Sequence, residues 1–329
     1  MTILYQLTDI PWRLRFRRTL MNTAFEIILH GDRDEQELKN AADSALEEAG
    51  RLERQLSIYE PTSDIRFINA TAHQRPVPVE PGLFDLLQLA AEVHGQTEGA
   101  FDITIGPLIR CWGFDRRQPN VPTPEAVAAA RELVGMEHVV LNRNDHTIFL
   151  QREGMELNLG ALGKGYVVDR VVEHLKQWHI TTALVHSGGS SISALGRPPH
   201  LAGWRVGVLD PRNRSRRLGS VALRDQALAT SGIWEQFLEH EGQVYGHVLD
   251  PRTGWPAQGV LSATSISSCA ARADALATAF FVMGAESTER YCTTYREAGI
   301  LVAQTDSQGV RIYEFGCGLE GGTVGDDQP

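Results

Sequence analysis

The sequence predicts an α+β fold of mixed sheets packed with helices. Three observations lead there. Amphipathic helical stretches and strand-like runs both occur, the two do not alternate strictly, and the second half is richer in strands than the first. At 329 residues, with 42% hydrophobic and 22% charged residues, the chain has the composition of a globular protein with a substantial core.

The elements follow in order. Across 37–56, Leu38, Ala41, Ala42, Ala45, Leu46, Ala49, Leu52 and Leu56 fall at helical spacing, with Glu and Arg on the opposite face. A second helix follows Pro81 on Leu83, Leu86, Leu87, Ala90 and Ala91. Thr123-Pro124 opens a third, which stops at Gly135. Residues 139–150 read as a hairpin with a polar turn. Helix returns over 164–178, strands are expected at 183–185, 204–209 and 219–223, and a last helix spans 270–283. Strands at 300–303 and 310–315 close the chain. Residues 1–18 read as an extension carrying a first strand, 19–316 as one domain, and 317–329 as a disordered tail.

A net charge of -10 argues against nucleic acid as a partner, because phosphate backbones need local positive charge. Arg13, Arg15, Arg17 and Arg18 alternate with Leu14 and Phe16, which suits the exposed face of a strand. Cys111, Cys269, Cys292 and Cys317 show no CxxC or Cys/His spacing, so neither a disulfide framework nor a zinc site is expected. No segment approaches the roughly 18 apolar residues of a membrane span. The N-terminus lacks the basic start and apolar stretch of a signal peptide, and the cytoplasm is the expected location.

Chemistry concentrates in a few places. The run Asn158 to Gly165 lies between a strand and a helix, where glycines admit a ligand and free N–H groups favour an anion. A tight turn with an exposed lysine explains that run equally well. Ser187 to Ser191, after an apolar strand, is a second candidate nucleotide-binding turn or a plain loop. Gly99-Ala100-Phe101-Asp102 stands at a helix end in the same position of doubt between ligand and turn. His247 lies on a strand leading into the turn Asp250-Pro251-Arg252-Thr253-Gly254, and a lone histidine is more often structural. Asp274 and Thr278 stand four apart on an otherwise small and apolar helix, so both point from one face. A carboxylate and a hydroxyl so placed suit a hard cation such as magnesium. They also suit a helix-start acid and a back-bonding core threonine.

Taken in order, these segments resemble the ApbE family, the FAD:protein FMN transferases. The resemblance covers about 19–302 and rests on Met21-Asn22-Thr23-Ala24-Phe25, Leu56-Ser57-Ile58-Tyr59, the Gly99 to Phe114 motifs, Gly160 to Gly165, Ala229 to Gly232, His247 to Gly254, and Ala273 to Thr278. It implies a single large T-fold-like domain. It also implies a magnesium ion held by Asp274, Thr278 and the carbonyls of Ala161 and Ala277. FAD, as substrate, would be gripped by Met21, Tyr59, Ala100, Phe101, Asp102, Asn158, Lys164 and the backbone near Val248. His247 and Asp274 match positions implicated in catalysis. The implied reaction cleaves FAD and attaches FMN to a threonine or serine hydroxyl of an acceptor protein, releasing AMP. A pyrophosphatase using water, or a flavin carrier without turnover, would share much of the same site.

The sequence departs from the family pattern in four places. Asn158 stands where aspartate is common, and Gly188-Gly189-Ser190-Ser191 replaces a frequent Gly-Gly-Asp. Ile233-Trp234 follows Ser231-Gly232 where a small polar residue and tyrosine are usual, and no lipobox is seen.

Overall fold

Short apolar runs joined by turns fold back on one another into an antiparallel sheet. The computed structural model describes residues 13–31, 33–116, 118–233, 236–304 and 309–321. Eight strands make the main sheet: β1 (Arg13–Leu20), β2 (Thr23–His30), β3 (Ala183–Ser187), β4 (Ser191–Leu195), β5 (Gln226–Gly232), β6 (Val260–Ser267), β7 (Ala298–Gln304) and β8 (Val310–Phe315). Each pairs antiparallel with the next, so the order in space is the order in the chain.

Four long helices accompany it: α1 (Glu35–Leu56), α2 (Pro81–Gln96), α3 (Gly163–Gln177) and α4 (Ala270–Tyr295). Phe25, Ile27, Val185, Ala229, Ala263 and Leu301 join the buried stripes of these helices in the main core. Their neighbours along the strands, Ile28, Leu184, Ile192, Leu228 and Ile300, pack on the opposite face. The hairpin Trp204–Leu209/Arg217–Leu223 covers that face. This is the period-two alternation of a strand applied to a sheet covered on both sides. Hence β3 and β4 are buried at every position. A small separate core gathers Leu108, Trp112, Phe114, Val127 and Leu249 beneath the loops, with the Trp112 indole N–H donating to the Gly254 carbonyl at 2.9 Å.

The α+β fold expected from the sequence is the fold found. The buried stripe of α1 consists of the eight residues its periodicity marks, and Asp34 caps it through Gln36 N–H and Glu37 N–H. The Arg15 and Arg17 side chains of edge strand β1 are exposed as expected, but both also pair with Glu26 on β2. Four expectations change. The helix from 270 is interrupted after Met283, as expected, by the non-helical Gly284 at φ 71°, but helix resumes beyond it to Tyr295. The helix opening at Thr123-Pro124 ends at Arg131 rather than reaching Gly135. The strand before His247 ends at Gly246, so the histidine begins the turn. Within the tail expected from 317, Glu320 exchanges two backbone hydrogen bonds with Ser220 and Leu319 packs on the hairpin layer. Residues 1–12 and 322–329 lie outside the described residues.

Helices α3 and α4 cap each other. The first N–H groups of a helix lack intrahelical partners, and neither Leu162 nor Cys269 supplies a side-chain cap. Instead Asp274 of α4 accepts the Gly165 N–H of α3 at 2.6 Å. Asp169 of α3 accepts the Ala270 and Ala271 N–H groups of α4 at 2.7 and 2.8 Å. Burial pushes the Asp169 carboxyl up to about 7; its two amide donors oppose that rise and the Asp274 charge adds to it. The helices meet so closely at Gly165 that a Cβ there would lie 2.1 Å from the Ala270 carbonyl oxygen. Gly165→Ala should therefore cost about 1–3 kcal/mol, the usual range for overpacking a rigid contact. Urea unfolding checks this, and an unchanged midpoint would show that the helices can separate without loss.

Candidate active site

The start of α3 opens into a cavity of about 270 Å³ beneath α4 and the ends of β5. Asn158 shapes the approach: its N–H donates to the Ile103 carbonyl at 2.7 Å, and its Oδ1 accepts the Gly160 N–H at 2.8 Å. That local bond turns the chain so that Gly160, Ala161 and Lys164 reach the lining. Asp274 and Thr278 meet them from α4, one helical turn apart. Asp274 is 7% exposed and bonded through both oxygens, Oδ2 to Gly165 N–H and Oδ1 to the Ser191 hydroxyl, each at 2.6 Å. The Thr278 hydroxyl lies 3.2 Å from that of Ser231.

The opposite wall carries Ala100, Phe101, Asp102, His247 and Val248. The His247 Nδ1 lies 3.2 Å from the Gln236 carbonyl oxygen, which also accepts the His247 backbone N–H at 3.1 Å. A carbonyl only accepts, so Nδ1 is the donor in this contact. Tyr59 is 63% exposed at the mouth, its hydroxyl donating to the Asp115 carbonyl at 3.1 Å. Beyond it the cavity continues into a wider groove of about 910 Å³ that shares Tyr59, Asp115, Lys164, Thr230 and Gln236. Met21 lines this groove, not the inner cavity. Met21 and Asn22 form the β1–β2 turn with φ of 52° and 56°, a left-handed geometry that suits a tight hairpin. Glu53 anchors that turn by accepting the Met21 N–H at 2.6 Å.

A model of the ApbE family matches residues 21–301. The chain belongs to the ApbE family. A Klebsiella pneumoniae protein named FAD:protein FMN transferase is 34% identical over 249 residues, covering 75% of this chain and 76% of the relative. One of the same name from Treponema pallidum is 35% identical over 275 residues, covering 77% and 74%. The crystal structure of an ApbE protein from Thermotoga maritima matches with a TM-score of 0.83 at 27% identity, over 92% of this chain and 97% of that one. The apo form of the Pseudomonas stutzeri flavinyl transferase ApbE gives 0.80 at 27% identity, over 94% and 98%.

Within this ApbE-family chain, the folding brings most of the sequence-marked residues to one cavity. Two lie outside it: Met21 lines the adjoining groove, and Ala277 is wholly buried in the core and absent from both linings. Asp102 is on the wall, but its carboxylate is already engaged. Oδ1 accepts the Thr104 N–H and hydroxyl at 2.7 and 2.6 Å, and Oδ2 accepts the Met136 N–H at 3.2 Å. Sequence reasoning missed Ser191 as a partner of Asp274, and it missed Asp115 and Gln236 entirely. Ser191 did stand in a marked loop, whereas nothing local distinguishes Gln236. Trp234 lies outside the described residues. Among the described residues no three His, Cys, Asp or Glu side chains gather as a metal cluster. The donors at Asp274 and Thr278 themselves are a carboxylate and a hydroxyl, both oxygen, which suits a hard cation completed by substrate oxygens. No helix among the described residues is long and apolar enough to cross a membrane.

His94 Nδ1 approaches the Phe101 carbonyl at 3.0 Å and Asp102 Oδ2 at 3.2 Å. Burial favours the neutral ring, but the Asp102 hydrogen bond and charge outweigh it and raise the pKa above the ordinary imidazole value. A raised folded value means that this stabilisation is complete below about pH 6.5, the unfolded value, and fades as pH rises through the folded one. In urea unfolding, His94→Gln should therefore cost more at about pH 5.5 than at about pH 9. Equal costs at both would show that the pair contributes no charge-dependent stability.

Proposed function

We propose that this chain is a magnesium-dependent FAD:protein FMN transferase that attaches FMN to a threonine or serine hydroxyl of an acceptor protein. One observation carries the reading: Asp274, Thr278, Lys164 and His247 line a single cavity, in a chain of the ApbE family. Asp274, Thr278 and the Ala161 carbonyl, all on the cavity lining, would hold the magnesium; the Ala277 carbonyl would join them only if it turned toward the cavity it does not now line. Bound there, the ion would act as a Lewis acid on the pyrophosphate oxygens.

The chain's own groups do the rest. FAD would lie along the groove and cavity, held by Met21, Tyr59, the Ala100–Phe101–Asp102 segment, Asn158 and the backbone near Val248. Asp102 would contribute through its backbone and its hold on the segment, since its carboxylate is bonded to Thr104 and Met136. Lys164, in the first turn of α3, would place positive charge beside the phosphates, where the helix end also favours an anion. His247 Nε2 would take the proton of the acceptor hydroxyl. The freed oxygen attacks the phosphorus of the FMN half, the bond from that phosphorus to the bridging oxygen breaks, and AMP leaves with that oxygen. Phosphoryl transfer demands positioned charge more than covalent help, and the cavity supplies it.

Incubation with FAD, Mg2+ and a panel of acceptor proteins tests the reading through AMP release and in-gel flavin fluorescence. Fluorescence on a denatured acceptor is the expected result. AMP release without it would mean a pyrophosphatase, and neither would mean a flavin carrier. Asp274→Asn should lower AMP release by about a hundredfold or more, reflecting several kcal/mol of lost charge stabilisation. His247→Ala should lower FMN transfer by at least about a hundredfold. Wild-type transfer by that variant would remove the histidine from the mechanism.

A further inference from the structure

Strand β4 sets a serine under the proposed metal site. Ile192 and Ala194 face the hairpin layer, so Ser191 and Leu195 face the helices. The helix-facing neighbours include Val185, Ala227 and Ala229, and Ser191 among them is wholly buried. A buried hydroxyl is unfavourable without a partner. Ser191 donates to Asp274 Oδ1 at 2.6 Å, within the short range of a hydrogen bond to a charged carboxylate. Gly165 N–H holds the other oxygen at 2.6 Å. One donor comes from the sheet and one from α3, so rotation of the carboxylate about its Cβ–Cγ bond would break both.

We infer that Ser191 is a positioning residue: its hydroxyl fixes the plane of the Asp274 carboxylate so that the metal ligand is oriented before the ion arrives. This rests on the reading of Asp274 as a magnesium ligand. Groups that orient a metal ligand commonly govern affinity by about 10–100-fold. A serine that only satisfied its own burial would govern stability instead. The two roles differ in what they move.

The test uses Mn2+ alone, titrated into the full-length protein and followed by loss of the free-ion paramagnetic resonance signal, with thermal unfolding of the same samples. Ser191→Val should weaken Mn2+ binding about tenfold or more. Ser191→Thr, nearly the same shape with the hydroxyl kept, should stay close to wild type. Ser191→Ala, which adds no bulk, should weaken binding as Val does. Equal Mn2+ affinity in the Val, Ala and Thr variants would overturn the positioning role, whatever their melting temperatures. Wild-type protein that takes up no Mn2+ removable by Asp274→Asn would instead overturn the metal reading itself, and this inference with it.

Discussion

Two helices that cap each other set the geometry of this molecule. Neither α3 nor α4 carries a side-chain cap of its own. A carboxylate from each helix takes orphan N–H groups at the start of the other: Asp274 takes that of Gly165, and Asp169 takes those of Ala270 and Ala271. The arrangement demands a close crossing, and Gly165 is the residue that permits it. A carboxylate at a helix N-terminus is favoured by the helix dipole as well as by its hydrogen bonds, so each contact fixes both partners. Asp274 is therefore anchored by the fold before any ligand is considered.

The rest of the site is arranged around that crossing. The loop from Asn158 enters α3 at the same end and brings Ala161 and Lys164 onto the cavity wall. β4 and β5, beneath α4, present Ser191 and Ser231 to Asp274 and Thr278. The small core around Trp112 and the turn at Gly254 steadies the far wall, where His247 is oriented by the Gln236 carbonyl. A rigid crossing on one side and a separately packed loop cluster on the other leave the cavity between them.

Much of this was legible in the sequence. The stripe of α1, the Pro81 and Thr123 helix starts, and the spacing of Asp274 and Thr278 are local periodicities, and local periodicity survives folding. β4, β5 and β6 were not legible. Their sequences, SISAL, QALATSG and VLSATSIS, mix serine, threonine and alanine, and strands covered on both faces show no hydrophobic alternation. The strands hardest to read are the ones that carry hydroxyls to the site.

The α+β class, the main helices and the ordered motifs that mark an ApbE-family chain are local properties, readable along the chain. What those residues do to one another depends on long-range packing. It turned Asp274 from an acid near its own helix start into the cap of a different helix, because the nearest unsatisfied N–H group belongs to Gly165. It withdrew the Asp102 carboxylate from the cavity by giving it Thr104 and Met136 to bind. It also joined Ser191 to Asp274 across 83 residues of chain. Spacing reports which side chains share a face of one helix; which donor meets which acceptor depends on how closely two elements pack.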